Sequence, residues 1–196
     1  MLQTLNAELL SHDSATATLE RWCASHHLAS PPIVRAERVA GIDQPLTDEQ
    51  RRELGITASD AVRYRRVRLM CGDVLLSEAD NWYVPARLSA QMNRQLDSSD
   101  MPFGRVVQAL HFRRHTLAAT LLWLPLPAGW EMDPAAVAAT AGAGADAGAD
   151  SEHDGLIAPP AVLQHRAVLS LPDGTPISEV VETYTGNVLA FAPPGS

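Results

Sequence analysis

Apolar and polar positions change period several times along the chain, and each change marks an element. From Leu2 to Leu10 the apolar residues recur every three or four positions, the spacing of a short amphipathic helix. Ser11-His12-Asp13-Ser14 interrupts it and offers a cap for a second helix running to about Ser25. Pro31-Pro32 closes that unit, and residues 33–40 (IVRAERVA) read as a strand. Thr47-x-x-Gln50 forms a capping box for a short helix that Gly55 ends.

Strand-like runs follow. Ala61 to Cys71 and Val74 to Val84 are two strands joined at Gly72-Asp73, the spacing of an antiparallel hairpin. Pro85 opens a helix expected to contain Leu88, Met92 and Leu96, and a further helix is expected after Pro102, holding Phe103, Val106, Val107 and Leu110. Residues 113–124 read as a strand. Ala161 to Leu171 and Pro176 to Tyr184 make a second hairpin around Pro172-Asp173-Gly174-Thr175. Strands run in hairpins while helices gather between them. The expected class is therefore α+β, one domain over 1–196 with a mainly antiparallel sheet flanked by helices.

One segment stands apart. Residues 134–160 (PAAVAATAGAGADAGADSEHDGLIAPP) are mostly Ala, Gly and Asp and cannot bury enough apolar area to offset their ordering entropy. A disordered acidic insertion is expected there, a tolerated surface loop more than a lid. It also explains the charge. Of 23 acidic residues, six lie between positions 131 and 155, where there is no Arg; the rest of the chain sets 17 acids against 15 basic residues.

All the basic residues are arginine. Without lysine, neither Schiff-base chemistry on an enzyme amine nor a P-loop is available. No basic stripe points to nucleic acid, and the longest apolar runs, such as Leu117 to Leu126, fall short of the roughly 20 residues that span a membrane. No secretory signal is visible, and two cysteines, Cys23 and Cys71, make neither a disulfide framework nor a zinc set. A reduced, cytoplasmic protein is expected. Seven histidines fall into no metal-binding pattern, and no nucleophile elbow is present, so no metal is expected.

The Arg-rich strand carries more information. Alternation places Val62, Tyr64, Arg66, Arg68 and Met70 on one face, and Arg63, Arg65, Val67, Leu69 and Cys71 on the other. A guanidinium buried on either face wants an anion, from the protein or from a ligand. In the last strand Glu182 shares a face with Ser178, Val180 and Tyr184, while Glu179 shares the opposite one with Val181 and Thr183. Spacing leaves open whether these groups form a structural Arg–Glu pair or a ligand site.

Three stretches, in this order and spacing, carry a family resemblance: Leu9 to Thr16, Tyr64-Arg65-Arg66-Val67-Arg68 through Val84-Pro85 and on to Pro102-Phe103-Gly104, and Gly174-Thr175-Pro176 through Glu182-Thr183-Tyr184. The chain resembles the chorismate pyruvate-lyases, which release pyruvate from chorismate to give 4-hydroxybenzoate. The resemblance implies a chorismate lyase-like fold and a carbon–oxygen lyase that needs no cofactor. It implies Arg66 and Glu182 as catalytic residues, and Ala15, Arg66, Phe103 and Glu182 as substrate contacts. The implied partner is an aromatic or cyclohexadiene carboxylic acid, and a monomer or weak dimer is expected. Asn81 stands where that family often has Arg, and Phe103 where it has Leu. The same segments are similar to the effector-binding UTRA domains of GntR-type regulators, so the alternative expectation is a non-catalytic module binding an aromatic acid.

Overall fold

Two antiparallel hairpins laid side by side form the centre of the fold. The structure is a computed structural model that describes residues 1–124 and 158–191. Its strands are β1 (Val34–Arg38), β2 (Arg63–Cys71), β3 (Val74–Tyr83), β4 (Arg113–Leu121), β5 (Ala161–Ser170) and β6 (Pro176–Thr185). They form one six-stranded sheet in the order β1-β2-β3-β6-β5-β4, every neighbouring pair antiparallel. Helices α1 (Leu2–Ser11), α2 (Ala15–Ser25), α3 (Asp48–Glu53), α4 (Ala90–Ser98) and α5 (Phe103–Val106) complete the α+β architecture. The insertion expected over 134–160 lies outside the described residues except for Ala158, Pro159 and Pro160.

Local chemistry explains most boundaries. Ser14 accepts a hydrogen bond from the Ala17 amide and starts α2. Thr47 and Gln50 close a reciprocal capping box on α3, and Gly55 follows it with φ +58°. The β2–β3 hairpin turns at Gly72, whose φ is +56° and where a Cβ would sit 2.7 Å from the Ala29 Cβ. No residue but glycine fits that turn without displacing α2's exit loop.

Three expectations are corrected. Pro85 opens only a 3₁₀ turn, Pro85–Arg87; α4 begins at Ala90, because the Ser89 hydroxyl caps the Met92 amide and leaves Leu88 extended. The helix expected from Phe103 to Leu110 divides into α5 and a 3₁₀ turn, Gln108–Leu110, closed by His111 in the left-handed region. Cys23 and Cys71, both fully buried, form a disulfide instead of remaining two free thiols. Their 48-residue separation carries no pairing signal; the bond exists because α2 packs its last turn onto the end of β2.

One sheet face takes α1, α2, α4 and α5, while α3 packs on β6 from the other. Val67 and Leu69 of β2, with Tyr184 of β6 and Leu163 of β5, bury against Leu5 and Leu9 of α1 and Leu19 and Trp22 of α2. Trp22 donates its indole N–H to the Val188 carbonyl at 2.8 Å, so its polar atom is satisfied inside. A second cluster joins Tyr83, Leu96, Phe103, Val107 and Ile177 beneath α4 and α5. Full burial of a large apolar side chain contributes about 1.5–3 kcal/mol, so these clusters hold the two helical groups on the sheet. Among the described residues, no helix is long and apolar enough to cross a membrane.

Candidate functional site

Between the first turn of α2, α5 and the helix-bearing sheet face lies a cavity of about 510 Å³, mouth included. Its floor is apolar, from Val67, Leu69, Ala79 and Val180 of three neighbouring strands. Phe103 and Phe112 wall it on one side, and Ser14, Ala15 and Thr16 on another. Phe103 is fixed by packing on Tyr83, ring centroids 5.6 Å apart. The first turn of α2 brings the partial positive charge of a helix N-terminus to this wall.

Besides the exposed Asp13, three charged side chains line the cavity. Arg65 is 5% exposed. It donates one terminal N–H group to the Ser99 and Met101 carbonyls at 3.5 and 3.2 Å, and its Nε has no partner. Among the described residues it makes no ion pair, as Arg63, Arg66, Arg68, Arg105, Arg114 and Arg166 do. Burial, with the nearby Arg38 charge, pulls its pKa down to about 10, still well above neutrality. Arg65 is therefore a buried cation without a counter-ion, a costly arrangement unless a ligand supplies one.

Arg114 and Glu182 form the second feature. Their side chains are 3% and 8% exposed, and Arg114 donates to Glu182 Oε2 at 2.6 Å. Tyr184 donates its hydroxyl to the same oxygen at 3.1 Å. Burial opposes the charge on Arg114, yet Glu182 and Tyr184 beside it hold its pKa above the usual arginine value. Burial and then Glu182 push the Tyr184 hydroxyl well above its ordinary range, so it stays a donor. His165, directly opposite Glu182 on β5 and fully buried, sets Nε2 2.8 Å from the Asn6 Oδ1. Burial and Arg114 lower its pKa to about 4, so it is neutral at neutral pH.

Register fixes the distance between the two features. Arg65 pairs with Asn81 and Glu182 with Ala79, both on β3, so their strands flank β3 with a two-residue offset. Standard sheet spacings put the two Cα atoms roughly 12 Å apart. One end of the cavity is thus cationic, and the other holds a closed ion pair.

Of the residues expected from the sequence, Ala15, Phe103 and Glu182 come together on this cavity. Arg66 does not. It lies on the opposite face of β2, paired with Glu78 at 3.1 Å and Asp80 at 3.5 Å. Adjacent strand residues point to opposite faces, so the arginine one position earlier enters the cavity. Its signal was present in the alternation, since Arg65 shares its face with Val67, Leu69 and Cys71, all core residues. Arg114 carried no such signal, because it sits on an edge strand and reaches back over the sheet to Glu182. Asn81 lines the cavity and accepts the Ser178 hydroxyl at 2.6 Å. Among the described residues no three His, Cys, Asp or Glu side chains converge as metal ligands.

No family model matches the chain. The uncharacterized protein y4mC of Sinorhizobium fredii (strain NBRC 101917 / NGR234) is 50% identical over 195 residues, which cover 99% of this chain and 77% of that protein. Among solved structures, the effector domain of PhnF from Mycobacterium smegmatis matches 89% of this chain and 90% of its own, with a TM-score of 0.53 and 15% identity. Intact PhnF from the same organism gives a TM-score of 0.52 at 14% identity over 90% of this chain; the match spans 65% of the PhnF chain. At that identity the likeness is one of fold, the UTRA and chorismate lyase-like arrangement of a six-stranded antiparallel sheet flanked by helices.

Proposed function

For a chain that belongs to the same family as the y4mC protein and has a UTRA-like fold, we propose a module that binds a small organic anion, an aromatic carboxylate such as 4-hydroxybenzoate. The observation that carries this reading is Arg65, a buried guanidinium with no counter-ion beside an apolar cavity. A carboxylate there accepts two N–H groups in the planar fork geometry that Arg favours. The first turn of α2 adds its dipole, and the two phenylalanines cover the apolar body of the ligand against the strand floor. Ala15, Phe103 and Glu182 keep the contact roles the sequence reading gave them, and Arg65 takes the role first read at Arg66.

Calorimetric titration with 4-hydroxybenzoate tests this. Binding is expected for the wild type, and Arg65→Met is expected to weaken it by about 30-fold or more, the worth of a buried charge-assisted contact. Arg66→Met is expected to bind as the wild type does. Loss of binding in the Arg66 variant alone would sink the assignment.

A second reading, the lyase, is favoured by one observation: an acid, Glu182, in the same cavity. In that reaction chorismate loses a ring proton as its C–O bond breaks, giving 4-hydroxybenzoate and pyruvate. Glu182 is already engaged by Arg114 and Tyr184, which supports its holding a ligand hydroxyl over its carrying a proton. Release of pyruvate from chorismate, abolished in Glu182→Ala, would restore the enzyme reading.

A further inference from the structure

We infer that Glu179 of β6 and Glu53 of α3 share one proton, and that this carboxyl–carboxylate bond is a latch holding α3 on the sheet and opening as the proton leaves. The pair lies on the sheet face opposite the cavity, since Glu179 and Glu182 point to opposite sides of β6. Glu179 is fully buried, and neither of its oxygens has a hydrogen-bond partner among the described residues. The Oε2 of Glu53 is buried and unpartnered in the same way. Leaving these oxygens as two separate carboxylates is costly. One proton relieves it: a Glu179 O–H donating to Glu53 Oε2 satisfies an oxygen on each side and leaves one negative charge in place of two.

The surrounding groups are already committed. On β3, Trp82 lies opposite Glu179 and gives its indole N–H to the Gln44 carbonyl at 2.7 Å, while Asp80 is held by Tyr64 and by Arg66 at 3.5 Å. On β5, Val168 lies opposite, and Arg166 sets one terminal nitrogen 2.8 Å from Glu49 and 2.7 Å from Glu53. Its Nε stays 3.9 Å from Glu179. From α3, Gln50 approaches Glu179 without a hydrogen bond, and the exposed Arg52 lies near Glu49. Val181 and Thr183, on the same face of β6, carry no charge. Burial and then Glu53 raise the Glu179 pKa to about 7, which sets the range in which the latch works. Above it, two carboxylates face each other beneath a six-residue helix whose one buried residue is Gln50. Arg87 binds the Leu54 and Gly55 carbonyls just beyond the helix, so the opening is local to α3.

Hydrogen exchange in the full chain reads the latch at the Arg51 and Leu54 amides, which bond to the Thr47 and Gln50 carbonyls. Corrected for intrinsic exchange rates, their protection is expected to fall roughly 50-fold from pH 5 to pH 8 in the wild type. Glu179→Gln is expected to abolish that dependence. Glu53→Gln is expected to abolish it too, because the new amide donates to an ionised Glu179 and no proton is needed. PH dependence retained in Glu53→Gln overturns the inference, since Glu179 would then titrate by burial alone. Wild-type protection equal at the two pH values overturns it as well. Should Glu53→Gln fail to fold, carbon NMR titration of the wild-type carboxyl groups decides. A common step near pH 7 at both Glu53 and Glu179 is the expected result, and a step at Glu179 alone refutes the shared proton.

Discussion

Raising the pH from 5 to 8 is expected to weaken the fold through one carboxyl group, that of Glu179. It lies on β6 between Trp82 of β3 and Val168 of β5, fully buried, on the sheet face covered by α3. Both carboxyl oxygens lack hydrogen-bond partners, and so does the buried Oε2 of Glu53. Arg166 gives its hydrogen bonds to Glu49 and Glu53 and approaches Glu179 no closer than 3.9 Å. Burial, then the neighbouring Glu53, raise the Glu179 pKa from 4.5 to about 7.

The sign follows from proton uptake. Between those two values the folded state holds a proton that the unfolded chain has released, so stability is full below pH 4.5 and falls as pH rises through 7. A shift of that size corresponds to about 3 kcal/mol in all, most of which is lost between pH 5 and 8. His165 works the other way: its lowered pKa makes stability rise from about pH 4 to 6.5. The comparison must therefore be made against a variant, Glu179→Gln, which keeps the shape and cannot ionise. Urea melts at both pH values are expected to show the wild type losing about 2–3 kcal/mol more than the variant. Equal pH dependence in the two proteins would refute the buried-carboxyl argument.

Reducing the Cys23–Cys71 bond, or replacing either residue by Ser, is expected to lower stability by about 4 kcal/mol from the 48-residue loop it closes, read as a drop in urea midpoint under reducing agent. Gly72→Ala is expected to cost about 1–3 kcal/mol, since the new methyl meets both a positive φ and the Ala29 Cβ; an unchanged thermal midpoint would contradict this. Phe103→Ala is expected to destabilise by about 3 kcal/mol or more and to weaken 4-hydroxybenzoate binding, because it removes a wall that both Tyr83 and the ligand pack against. Thermal melts with and without ligand separate the two effects.

Much of the fold was legible because turn chemistry and alternation are local. Gly72-Asp73 and Pro172-Asp173-Gly174-Thr175 mark both hairpins, and alternation alone put Glu179 and Glu182 on opposite faces of β6. The site was legible only where it follows from such local patterns. In Arg63-Tyr64-Arg65-Arg66-Val67-Arg68 both faces carry arginine, so charge cannot say which face is inside; the apolar companions of Arg65 can. Arg114 and the disulfide depend on contacts across 68 and 48 residues, set by packing of the finished sheet and by no nearby pattern. The helix expected at Pro85 failed for the opposite reason, a strong local cap at Ser89 overriding the wider apolar spacing.

A crystal structure of the protein soaked with 4-hydroxybenzoate tests the central claim most directly. The expected result is a ligand carboxylate about 3 Å from the Arg65 guanidinium, its ring between Phe103 and the strand floor, and its hydroxyl against the Arg114–Glu182 pair. A carboxylate seated on Arg66 at the opposite face of the sheet, or a cavity left empty while the ligand binds elsewhere, would contradict it.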